Sequence, residues 1–134
     1  MSDVHTHEDY AAVAKHLKFQ SRAFINGAFV DALSGETFAS LNPATGAVLA
    51  QVAACGQADV DLPVQHAKAA FEDGRWSRLH PSDRKAVLLK FAQLMEDHAT
   101  ELAVLESVDS GKPVVECVGV DIPETIKTMR WHAE

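Results

Sequence analysis

The hydrophobic period of this 134-residue chain changes once, near Asp59, and does not change back. Before that point apolar residues come in short runs suited to strands: "AFINGAFV", "ETFASLNP" and "AVLAQVAA". After it they recur at intervals of three and four, as they do along one face of a helix. Such an order yields a few short strands followed by four or five amphipathic helices. A ribbon of two or three strands is marginal alone, and the apolar helix faces need a sheet or another helix to cover them. The expected class is α/β, with a strand-poor start and a partner layer required for the helices.

The local signals are specific. Residues 1–9 are polar and predict a mobile start, and "YAAVAKHLKFQ" places Tyr10, Val13, Ala14 and Leu17 at helical spacing over 10–20. Asn26-Gly27 between Phe24-Ile25 and Phe29-Val30 predicts a type I′ hairpin. "NPATG" is turn chemistry, with Pro43 fixing φ and Gly46 free to take positive φ. A helix from Asp59 carries Val60, Val64, Ala67 and Phe71 on one stripe, with Pro63 early enough to be tolerated. Another from about Pro81 aligns Val87, Leu88, Phe91, Leu94 and Met95. A break near His98 to Thr100 precedes a third run with Leu102, Leu105 and Val108, which "DSGKP" ends through Gly111 and Pro113. In the last stretch, "VDIPETIKTMRWHAE", Asp121 reads as N-cap, Pro123 as first-turn residue and Glu124 as the capping-box partner. No stop signal follows Ala133, so the expectation is a segment of something longer.

Charge and composition exclude several classes. The net charge of −7, with Lys and Arg scattered, disfavours nucleic acid. No apolar run approaches the ~18 residues of a membrane span. The acidic "MSDVHTHEDY" lacks the pattern of a secretory signal, so a cytoplasmic location is expected. Cys55 and Cys117 are too far apart for a CxxC pair and read as reduced structural thiols. Seven histidines are present, but His5 and His7 in the polar start suggest only adventitious metal binding, and the other five are scattered. Trp76 and Trp131 read as packing anchors, and Lys112 in "GKP" lacks the glycine spacing of a phosphate loop.

Five stretches, in order, resemble the N-terminal part of the NAD(P)-dependent aldehyde dehydrogenase family. They are "FINGAFV", "ETFASLNPATGAVLAQV", "ADVDLPVQHAKAAFEDGRWS", "RKAVLLKFAQLMEDHATELAVLESVDSGKP" and "DIPETIKTMRWHAE". The last two, with the leader from Tyr10 to Phe19, look most like the amino-aldehyde branch, whose members include γ-glutamyl-γ-aminobutyraldehyde dehydrogenases of putrescine breakdown. The resemblance implies a leader with a short helix over 1–22 and an incomplete cofactor-binding domain over 23–134. The Rossmann core would lie outside the chain, and no GxGxxG-like or GxTxxG-like loop occurs in it.

It also implies a chemistry: a cysteine thiolate attacks the aldehyde, hydride leaves for NAD or NADP, and a glutamate-activated water releases the acid. The catalytic cysteine and glutamate are absent from this sequence, so the chain alone is expected to be inactive. A small-molecule aldehyde would be the partner, and the full-length protein would be a homo-oligomer. Matched onto the family, Ser40, the Leu41 carbonyl and Asp109 would hold a monovalent cation, K+ or Na+, through oxygen ligands. The other reading is a helix end with Asp109 bonded to nearby backbone. Val120, Asp121 and Glu124 would line the mouth of a substrate tunnel, where carboxylates attract a cationic amine. The other reading is the capping box, worth roughly 1 kcal/mol. A free-standing, non-catalytic binding module derived from the family is the alternative for the whole chain.

Overall fold

The computed structural model describes residues 6–134. In chain order these form α1 (His7–His16), β1 (Ala23–Ile25), β2 (Ala28–Val30), β3 (Thr37–Leu41), β4 (Val48–Ala53), α2 (Gln57–Glu72), α3 (Pro81–Asp97), α4 (Ala99–Ser110), the single turn α5 (Val114–Glu116), a π-turn (Cys117–Asp121) and α6 (Ile122–Ala133). They belong to two compact units. One contains the chain up to Lys18, the turn Asn42–Ala47 and Ser82–Glu134; the other contains Phe19–Leu41 and Val48–Pro81.

The unit holding the strands has two separate antiparallel ladders, β1–β2 and β3–β4. Asn26 and Gly27 sit at φ 50° and 82°, the two positive values a type I′ turn requires. Phe24 then faces Phe29 across the hairpin, with ring centroids 5.1 Å apart. In the second ladder the register slips between Ser40 and Leu41: Ser40 faces Ala50 and Leu41 faces Val48, leaving Leu49 unopposed as a bulge. Helix α2 begins two residues earlier than the periodicity predicts. The Asp59 carboxylate accepts the Gly56 N–H at 2.9 Å, completing an N-terminal cap, and its other oxygen accepts the Leu33 N–H at 2.8 Å. Pro63 therefore lies in the second turn, not the first, and the helix runs through it.

The other unit is helical. Residues 6–9, expected to be mobile, instead start α1: Thr6 and Asp9 exchange backbone and side-chain hydrogen bonds as a capping box. Helix α1 ends at His16, four residues short of the predicted run. His5, half of the weak metal pair, lies outside the described residues. His98 separates α3 from α4 as expected, and Gly111 closes α4 at φ 79°. The core of this unit joins Ala103, Cys117, Ile122 and Ile126, flanked by Met95, Leu102 and Val118. Arg130 of α6 reaches back to Glu96 of α3, and Lys85 meets Glu134 at 2.5 Å.

Candidate functional site

The sequence-predicted cap at Asp121 does not form. Asp121 is itself helical, at φ −66° and ψ −50°, and makes no capping bond. The reason is that α6 has no free start. It continues from the π-turn, and the Ile122 N–H already donates to the Cys117 carbonyl five residues back. An end with its donors engaged has nothing to cap. The Asp121 carboxylate pairs instead with the Lys112 ammonium, a contact across nine residues that no periodicity signals. This hydrogen bond raises the Lys112 pKa above its ordinary value.

Asp121 and Glu124 do share one place: both line an open groove of about 750 Å³ along α6, together with Glu106, Thr125 and His132. Val120, the third predicted mouth residue, is half exposed on the π-turn and does not line that groove. Glu124 is mostly exposed and meets only Lys127, at 3.3 Å. Sequence reasoning missed Glu106, whose carboxylate, the Cys117 thiol and the Asp121 carboxylate lie within 4.8 Å of one another. With Lys112 on Asp121, the cluster has its own counter-charge.

Neither cysteine suits a nucleophile. Cys117 is fully buried, and burial pushes its thiol pKa up, followed by the nearby Glu106 and Asp121 charges. A reactive thiol needs the opposite shift. Cys55 is exposed, so only Cys117 is the packed thiol that the sequence suggested for both. Trp131 is likewise no packing anchor in this chain: it is largely exposed, edge-on to His132 at 4.8 Å between ring centroids.

The predicted cation ligands fall in different units. Ser40 and Leu41 flank the bulge at the end of β3, and Asp109 lies on the last turn of α4. A dinucleotide needs a strand-to-helix junction with open backbone N–H groups. The one after β4 has its cap filled by the Asp59 carboxylate, a negative charge where a pyrophosphate would sit. The described residues therefore do not fit the cofactor's phosphates.

The model of the aldehyde dehydrogenase family matches residues 29–134. An aminoacetaldehyde dehydrogenase of Pseudomonas aeruginosa is 58% identical over all 134 residues, which cover 27% of that protein. Among solved structures, the P. syringae indole-3-acetaldehyde dehydrogenase AldA, in complex with NAD+ and IAA, superposes with a TM-score of 0.94 at 45% identity, over 97% of this chain and 26% of that one. The γ-glutamyl-γ-aminobutyraldehyde dehydrogenase of Burkholderia cenocepacia gives 0.91 at 45% identity, over 94% of this chain and 26% of that one. The chain thus spans about a quarter of the length of the relatives it matches.

Proposed function

Because the chain belongs to the aldehyde dehydrogenase family, we propose that it serves an enzyme that oxidises an ω-amino-aldehyde to the amino acid. The oxidant is NAD+ or NADP+; water supplies the second oxygen, and NAD(P)H and protons are released. The observation that carries the reading is the 58% identity, end to end, to an aminoacetaldehyde dehydrogenase. The acidic groove holding Asp121 and Glu124 supports it, because a carboxylate favours the ammonium end of such a substrate over an apolar one. NAD+ in the solved AldA complex favours that cofactor.

In this reading residues 23–134 are the N-terminal portion of a cofactor-binding domain. The nucleophile, the water-activating carboxylate and the cofactor contacts come from sequence that the relatives have and these residues do not cover. The 134-residue chain alone turns over no aldehyde. The enzyme works as a cytoplasmic homo-oligomer, on aldehydes of the kind released in polyamine breakdown. Ser40, Leu41 and Asp109 hold a K+ or Na+ ion; the bulge beside Ser40 supports this, since it releases backbone groups from the ladder.

The test is NAD(P)H formation by the gene product that carries these residues, supplied with 4-aminobutanal, its γ-glutamylated derivative or pentanal. The expected result is the highest kcat/KM on an amino-aldehyde, free or γ-glutamylated. No reduction of either cofactor with any aldehyde would overturn the assignment.

A further inference from the structure

The π-turn is the one break in an otherwise continuous helical path from Val114 to Ala133. Such turns have poorer hydrogen-bond geometry than an α-helix and are kept where something holds them. An extra residue in one turn rotates everything after it by about 100°, so the π-turn decides which side of α6 Glu124 occupies.

Its inner side is held by burial of Cys117 at one end and Ile122 at the other. Its outer side is held by Lys112, whose ammonium meets the Asp121 carboxylate. The backbone of Lys112 is itself fixed to the end of α4: the Ser107 hydroxyl donates to its carbonyl at 2.7 Å, and its N–H donates to the Ser110 hydroxyl at 3.2 Å. The Asp121 carbonyl accepts from the Thr125 hydroxyl at 2.7 Å. Asp121 is thus tied on both sides. Its side chain is 26% exposed, against 61% for Glu124, whose pairing with Lys127 is of the exposed and readily exchanged kind.

We propose that Lys112 is a positioning residue for the substrate mouth. Through Asp121 it clamps the π-turn, so that Asp121 serves the turn and Glu124 is the carboxylate left to meet a cationic amine. The part concerning the amine rests on the amino-aldehyde reading above; the clamp does not.

Two measurements on the gene product that carries these residues test it. In the first, kcat/KM for 4-aminobutanal and for pentanal, its neutral isostere, is compared across E124Q, D121N and K112M. The E124Q substitution should lower the amino-to-neutral selectivity about fivefold, the scale of one exposed charge pair. The D121N and K112M substitutions should reduce both substrates alike, and K112R should restore both. Should D121N shift selectivity as far as E124Q, Asp121 recognises substrate and the proposal falls. In the second, thermal midpoints are compared for K112M, D121N and their combination. A clamp predicts that the double variant melts where the worse single variant does; additive losses overturn it. If the wild type shows no preference for 4-aminobutanal, the substrate reading fails, and the midpoints still decide for or against the clamp.

Discussion

Two regions of this chain treat their apolar residues differently. Where α4, the π-turn and α6 meet, the alternation of large and small side chains closes on itself: Ala103 and Cys117 are wholly buried, and Ile122 and Ile126 nearly so. On α2 the stripe is as regular, yet Val60, Val64 and Phe71 are 51%, 60% and 69% exposed. Periodicity is the same on both helices; what differs is whether an opposing surface exists among the described residues. An amphipathic face therefore states a need for cover without saying where the cover is.

The sharpest way to break that contrast is to truncate one residue on each side of it. Ile126→Ala should cost about 3 kcal/mol, as a buried aliphatic loss with a residual cavity. Phe71→Ser should stay within about 0.5 kcal/mol in the 134-residue chain, as at other exposed positions. Urea unfolding of both variants checks this. Equal losses would mean that Phe71 is covered in solution and that the contrast is not real.

A second test asks what, other than apolar burial, holds the strand-bearing unit. Asp59 is its one buried charged residue among those described, and it satisfies two backbone donors from separate segments, Gly56 and Leu33. Asp59→Ala leaves both donors without a partner and should cost about 2 kcal/mol. The Asn variant keeps one acceptor and should cost less. Amide exchange at Leu33 and Gly56 reports the change directly; unchanged protection in the Ala variant would remove Asp59 from the account.

The third substitution probes the end of α4. Gly111 has φ 79°, and a Cβ there would lie 2.8 Å from Pro43 Cγ. Gly111→Ala combines a left-handed backbone penalty with that collision and should cost about 1.5 kcal/mol. A shift in unfolding midpoint of less than a third of that would mean Pro43 moves aside freely.

These tests also mark what was legible beforehand. The hairpin at Asn26-Gly27, the stop at Gly111 and the elbow at His98 were readable because each rests on chemistry within a few residues. The capping box at Asp121 was misread because Asp-x-x-Glu describes a free helix start, and whether a start is free depends on the residues before it. The π-turn has no sequence signature of its own. The partnership of Lys112 with Asp121, and the approach of Glu106 to Cys117, join positions whose spacing matches no helical period; only the folded path brings them together. Thr6 and Asp9 were legible as a capping box but were passed over because the surrounding residues are polar. Family membership was legible for the opposite reason: it drew on five stretches at once, so no single local ambiguity could undo it.

The smallest expected effect is a difference in pH response between the two regions. In the helical unit, Lys112 is raised by its bond to Asp121 and Cys117 by burial. Both groups hold their protons longer in the folded state than in the unfolded one, where they titrate near about 10.4 and 8.5. Their contributions are thus complete below those values and are lost as pH rises through the higher folded ones. In the strand-bearing unit, Asp73 is lowered, chiefly by hydrogen bonds from Arg75. Its contribution is complete above about pH 3.9 and is lost as pH falls through the lower folded value. The α4–α6 region should therefore loosen first in alkali and the turn after α2 first in acid. Backbone chemical shifts followed from neutral pH in each direction would show it. Cys117→Ala should delay the alkaline change until the lysine titrates; an alkaline transition that begins at the same pH in that variant would leave the thiol without a part in it.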